Sequence, residues 1–239
     1  MQFFIITPFP AIPESVISQS ILRRANEKGI LDYHVINLRE YAEGKNQKID
    51  DYPFGGGSGM VMLATPILKA VKRARELYTG KTDLRVIFPS PQAPVLTQKT
   101  SRRFSIHDGI VFICGHYKGI DERVRESVVT DEISIGDYVV TGGELPSMVI
   151  LDSIVRLIPG VLGDEESANS DSFSNELLDH PHYTRPENVD GMKVPDILLS
   201  GHHANINTWR HEQRESRTKK NRLDLWKLYQ ENYRNEVKK

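Results

Sequence analysis

The chain has 239 residues, of which 38% are hydrophobic and 26% charged, and a net formal charge of −1. This is enough apolar material for one large or two modest packed domains, and the single cysteine, Cys114, excludes an intrachain disulfide scaffold. The opening MQFFIITPFPAIPE lacks the basic leader and long apolar run of a secretory signal, no stretch approaches the ~20 apolar residues of a membrane span, and a cytoplasmic protein is expected.

Short apolar runs alternate with helical periodicity over the first 158 residues. FFIIT (3–7) reads as a strand, 14–28 as a helix, YHVINL (33–38) as a strand and 64–78 as a helix. LRVIFPS (84–90), IVFICG (110–115) and DEISIGDYVV (131–140) follow as strands, with helices at 97–105, 120–128 and 144–158. Repeated βα units predict an α/β fold with a largely parallel sheet covered on both faces. Ligands in such sheets collect beyond the carboxyl ends of the strands. SPQ (90–92), CGHYKG (114–119) and IGDYVVTGGELP (135–146) all lie there, so three loops are expected to converge on one pocket.

The helix ELPSMVILDSIVRLI is apolar almost all round, with Asp152 and Arg156 one turn apart as its charged exceptions. A helix without a polar face is buried inside its domain or against another subunit, and a homodimer is the preferred reading. Residues 159–178 turn acidic and Ser-rich, as suits a linker or lid. Helices at 201–221 and 222–237 then form a small second domain. The near-neutral charge conceals a gradient: residues 1–158 carry 19 basic and 18 acidic side chains, 159–196 carry 2 and 9, and 197–239 carry 10 and 5. A basic tail is compatible with a polyanionic partner such as nucleic acid.

YTGKTD (78–83) imitates the end of a phosphate-binding P-loop, but Arg75 stands where that motif needs its first glycine, so a plain turn is expected. FGGGSGM (54–60) does not complete G-x-G-x-x-G and has no strand before it, which favours a structural turn over a dinucleotide site. In DHPHY (179–183), Asp179, His180 and His182 could face a metal, yet no further ligand stands at a suggestive spacing. A structural role is favoured, and no metal ligand is assigned. His202 and His203 are read as capping or decorating the next helix, and Cys114 as a buried, inert thiol. Arg156 needs an anionic partner in so apolar a helix: Asp152 is the plain candidate and a ligand the sharper one. Asp171 is by default a solvated carboxylate and otherwise a base carried on a lid.

In chain order, DDYPFGGGSGM (50–60), SPQ (90–92), CGHYKGIDERV (114–124), SIGDYVVTGGELP (134–146), IPGVLG (158–163), DSF (171–173) and HYTRP (182–186) together resemble the bacterial tRNA (guanine-N1)-methyltransferases of the SPOUT class. The resemblance implies a trefoil-knotted α/β domain over 1–161, a flexible linker over 162–176 and a C-terminal helical tRNA-binding domain over 177–239, in an obligate homodimer. It implies methyl transfer from S-adenosylmethionine to N1 of guanosine 37 of tRNA, when another guanosine precedes it.

Carried over residue by residue, Ser90, Pro91, Gly115, Ile135, Gly136, Tyr138, Val140, Gly142, Gly143 and Pro146 would wrap the cofactor, with glycines letting the backbone approach. Asp50 and the loop from Gly55 to Gly59 match positions lining the guanosine site, and the basic tail would hold phosphates whatever their sequence. Asp171 matches the base that removes the N1 proton, and Arg156 the arginine that stabilises charge growing on O6. The resemblance implies that such a site is completed across the dimer, with the linker ordering over RNA.

Three positions depart from the pattern. His116-Tyr117-Lys118 stands where many relatives have Arg-Tyr-Glu, which reverses a charge near the methionine end of the cofactor, and whether Mg2+ takes part turns on that exchange. Ala93 replaces a usual glycine, and Phe88 a tyrosine found in some relatives. Two other functions are weighed. A ribose 2′-O-methyltransferase of the same fold class usually depends on an arginine-centred base, which Asp171 and HYTRP argue against. An RNA-binding protein that keeps the fold as a scaffold fits poorly with intact cofactor loops.

Overall fold

The computed structural model describes residues 1–163, 171–173 and 175–236. The chain divides into two compact units, Met1–Gly163 and Asp164–Lys239. In the first unit the strands are β1 (Gln2–Thr7), β2 (Asp32–Asn37), β3 (Asp50–Asp51), β4 (Val61–Met62), β5 (Arg85–Pro89), β6 (Gly109–Ile113) and β7 (Asp131–Ile133). Its helices are α1 (Ala11–Ile17), α2 (Ser20–Glu27), α3 (Ala64–Leu77), α4 (Gln98–Phe104), α5 (Glu122–Val128) and α6 (Glu144–Val155). Five strands form one sheet in the order β2-β1-β6-β5-β7, every neighbouring pair parallel.

Successive side chains of a strand point to opposite faces, and here both faces are covered. Phe3 and Ile5 pack with Ile87, Ile110 and Phe112 beneath Leu22 and Ala25 of α2, Phe104 of α4 and Ile150, Leu151 and Ile154 of α6. Phe4 and Ile6 pack on the other side with Val86, Val111 and Ile113 against Ile67, Ala70, Val71 and Ala74 of α3 and Val124 of α5. Two buried faces explain why these strands read as unbroken apolar runs. Each fully buried Ile or Phe contributes about 1.5–3 kcal/mol relative to exposure. In α3 the spacing 67, 70, 71, 74 places one apolar stripe on the sheet. Pro66 sits in its first turn, where no intrahelical N–H bond is lost.

Three expectations are corrected. The single helix predicted over 14–28 is two, because the chain breaks at Gln19, which is extended (φ −115°, ψ 156°). The hydroxyls of Ser15 and Ser18 donate back to the carbonyls of Ile12 and Ser15, competing with helical pairing at the break. The strand predicted over 131–140 stops at Ile133. Ser134 Oγ accepts from Gly136 N at 3.1 Å and donates to Gly136 O at 3.0 Å, and Gly136 has φ +141°, so the ladder ends in a turn. A short strand does precede the glycine-rich loop: β3 pairs antiparallel with β4, Asp50 opposite Met62, which makes the loop a hairpin connection. The remaining elements predicted for this unit are present with shifted ends.

The second unit contains β8 (Asn188–Val189) and β9 (Met192–Lys193), paired antiparallel, then α7 (Asp196–Leu199), α8 (His203–Asn221) and α9 (Leu223–Glu236). Asp190 and Gly191, both at positive φ, form the tight turn between the strands. His202 occupies the position before α8, but its side chain makes no capping hydrogen bond, so the capping role expected of it is not realised. Thr218 of α8 is fully buried; its hydroxyl donates to Arg214 O and accepts from Leu178 N. Residues 164–170 and 174 of the expected linker, and the last three residues, lie outside the described residues. Among the described residues no helix is long and apolar enough to cross a membrane.

Candidate active site

Beyond the carboxyl ends of β5, β6 and β7, three loops enclose a cavity of about 330 Å3, a size typical of small-molecule sites. Ser90 and Pro91 reach it from the loop after β5, and Gly115 from the loop after β6. Ile135, Gly136, Tyr138, Val140, Gly142, Gly143 and Pro146 line it from the stretch between β7 and α6. The ten positions expected to wrap a cofactor thus border one space, joined by Phe88, His116, Lys118 and Ser134.

Backbone hydrogen bonds hold these walls. Ser90 N donates to Ile133 O at 3.0 Å, Leu96 N to Ser134 O at 2.8 Å and Gly143 N to Gly115 O at 2.8 Å, while His116 and Gly142 form an antiparallel bridge. A Cβ on Gly143 would lie 2.7 Å from both Cys114 Cα and Gly115 N, so the two loops can approach this closely only through glycine.

Beside the cavity lies a buried network that the sequence reading missed. Glu144, the first residue of α6, is only 2% exposed. His116 Nε2 lies 2.8 Å from both of its carboxylate oxygens, and Thr7 Oγ1, at the end of β1, donates to Oε1. Burial alone would push the Glu144 carboxyl up. The hydrogen bonds from His116 and Thr7 and the His116 charge outweigh it and hold the group below the usual carboxylate range. The carboxylate also faces the positive end of α6. Its signal was available in the sequence: a charged residue opening a nearly all-apolar helix needs a partner, the same reasoning applied to Arg156. Cys114 is buried 3.4 Å from Ser147 Oγ. Burial, with the Glu144 charge adding, pushes its thiol up, in keeping with an inert side chain.

The other expected site residues of the first unit lie off this cavity. Asp50 is half-buried on β3. Gly55 and Gly59 are in the hairpin loop at positive φ, and Gly59 packs on the stem of Lys118, where a Cβ would be 3.0 Å from Cγ. Lys118 N donates to Met60 O, so the loop abuts the cavity wall without lining it. Arg156 ends α6, half-buried. Asp171 belongs to the second unit, where Asp179, His180 and His182 also come together.

The sequence model of the family described as tRNA (Guanine-1)-methyltransferase TrmD matches residues 1–228. A protein of Oceanobacillus iheyensis named tRNA (guanine-N(1)-)-methyltransferase is 53% identical over 225 residues, covering 94% of this chain and 91% of its own. Relatives of the same name from Clostridioides difficile and Staphylococcus carnosus are each 49% identical, covering 95% and 100% of this chain and 98% and 99% of their own. With a parallel α/β sheet, a preformed cavity at its strand ends and similarity along nearly its full length, the chain belongs to the tRNA (guanine-N1)-methyltransferase family.

Proposed function

We propose that the protein transfers a methyl group from S-adenosylmethionine to N1 of guanosine 37 of tRNA, when a guanosine precedes it. The observation that carries this reading is the convergence of the ten motif positions on one preformed cavity in a chain of this family. The cavity suits the donor in two ways. Its volume matches a small ligand. Phe88, Ile135 and Val140 offer apolar cover, and its glycine walls bring backbone donors and acceptors within reach. When bound, S-adenosylmethionine supplies an electrophilic methyl on a sulfonium.

N1 of guanine carries a proton at neutral pH and attacks only once that proton leaves. Asp171 takes the proton, and Arg156 stabilises the negative charge developing on O6. A homodimer through α6, whose Leu145 and Val149 are exposed one turn apart, covers its remaining apolar face. Threading of the loops into a trefoil knot fits the close passage at Gly143, and the lysines and arginines of α8 hold tRNA phosphates, so binding weakens with salt. Lys118 in the wall offers Mg2+ no ligand, and no step is assigned to the metal.

The test is single-turnover methylation of tRNA transcripts differing only at positions 36 and 37, with the modified nucleoside identified by mass spectrometry. Asp171→Ala is expected to slow the step by at least about 100-fold, the scale of general base catalysis, with cofactor affinity close to unchanged. Methyl on ribose would replace this reading with the 2′-O-methyltransferase, and no cofactor binding by the folded protein in calorimetry would replace it with the RNA-binding scaffold.

A further inference from the structure

We propose that Asp179, His180 and His182 form a binding site for a divalent transition metal of the zinc type. The inference rests on the second unit alone and is independent of the methylation reading. One donor atom from each side chain lies within 4.8 Å of the other two. His182 Nε2 is 2.8 Å from Asp179 Oδ2 and His180 Nε2 is 3.8 Å from Asp179 Oδ1. Tetrahedral ligation with bonds of ~2.0–2.2 Å spaces donor atoms ~3.3–3.5 Å apart. The two observed separations, which end on different oxygens of the carboxylate, lie on either side of that spacing and the third pair falls within 4.8 Å, so ligation needs the three side chains to draw together.

The tautomer of His180 supports ligation. Its Nδ1 lies 3.1 Å from Pro181 O, and since a carbonyl only accepts, Nδ1 carries the proton. In the neutral ring Nε2 is then the atom left to ligate, the arrangement by which a backbone carbonyl orients a metal-bound imidazole. His182 Nε2, 2.8 Å from Asp179 Oδ2, ligates only when it carries no proton.

The main chain of the site is already fixed. Asp179 N donates to Ser172 Oγ at 3.0 Å, Arg217 Nη1 donates to Asp179 O and Arg214 Nε to Leu178 O. Both guanidinium groups bond carbonyls and not the carboxylate, whose Oδ1 also accepts from His180 N, and their positive charge opposes a cation and moderates its affinity. Two imidazoles and one carboxylate favour Zn2+, Co2+ or Ni2+ over the harder Mg2+ and Ca2+. Through Ser172 an ion here would stiffen residues 171–173.

The full chain, stripped with a chelator, is titrated with Co2+ and followed by visible absorption, then competed with Zn2+ and separately with Mg2+. One equivalent of Co2+ with the intense bands of a tetrahedral site is expected, displaced by Zn2+ and not by Mg2+. His180→Gln and His182→Gln should each weaken binding at least tenfold, His180→Cys should retain it, and His202→Gln/His203→Gln should leave it unchanged. Because His182 is exposed, its variant should keep the metal-free unfolding midpoint of the wild type. Absence of a saturable equivalent, binding unaffected by His182→Gln, or binding lost with His202 and His203 would each overturn the site.

Discussion

Two glycine-rich stretches of the first unit use the same residue for opposite reasons. In the hairpin loop, Gly55, Gly56 and Gly57 have φ of +86°, +80° and +114°, and a Cβ built on any of them meets nothing within 4 Å. There glycine serves conformation, in a loop whose Tyr52 and Phe54 stand exposed. At Gly143 φ is an ordinary −78°, yet a Cβ would collide with the backbone of Cys114 and Gly115. There glycine serves room. The difference separates a loop free to adapt to a ligand from a wall built before any ligand arrives.

The sharpest way to break that contrast is Gly143→Ala. The obstacle is backbone and cannot swing aside, so the cost should reach roughly 3 kcal/mol, the upper part of the overpacking range. Cofactor binding should fall at least about tenfold, equivalent to 1.4 kcal/mol. Denaturant unfolding and calorimetry measure the two; a variant as stable as the wild type would show that the loops are not pressed together as described.

Glu144→Gln tests the polar side of the same wall and should cost about 2 kcal/mol, as for hydrogen bonds to a buried charge. Because the folded carboxyl lies below its unfolded value, its contribution is complete above the ordinary glutamate value of about 4.3. It is lost as pH falls through the folded value. The gap in unfolding midpoint between wild type and Glu144→Gln should therefore narrow as pH falls below about 4. A gap independent of pH in acid would mean that Glu144 is not held as the anion. The smallest effect belongs to Gly56→Ala, where strain at positive φ should cost about 1 kcal/mol and cofactor affinity should not move. A Gly56→Ala defect equal to that of Gly143→Ala would erase the distinction between the loops.

Much of this architecture was legible because both buried faces of the sheet write themselves into the chain as apolar runs, and α3 as a stripe at 67, 70, 71 and 74. The errors fell where polar side chains reach back to their own backbone. Ser134 stops a strand that Tyr138, Val139 and Val140 seemed to continue by propensity alone, and Ser15 and Ser18 interrupt a helix. The ten cavity positions were placed by resemblance to family motifs, and by their position after strands, not by any periodicity of their own. The network of Thr7, His116 and Glu144 was not read at all, because its members come from three separate elements.

By itself the amino-acid sequence determined most of the succession of strands and helices in the first unit, the covered parallel sheet and the loops that carry the motifs, since side-chain direction along one element is a local property. Only the tertiary structure decided which loops touch. Thr7 meets Glu144 across 137 positions of chain, and Gly143 meets Gly115 because of the sheet order β2-β1-β6-β5-β7. Contacts of that kind depend on which strands become neighbours, and no local pattern of residues encodes that choice.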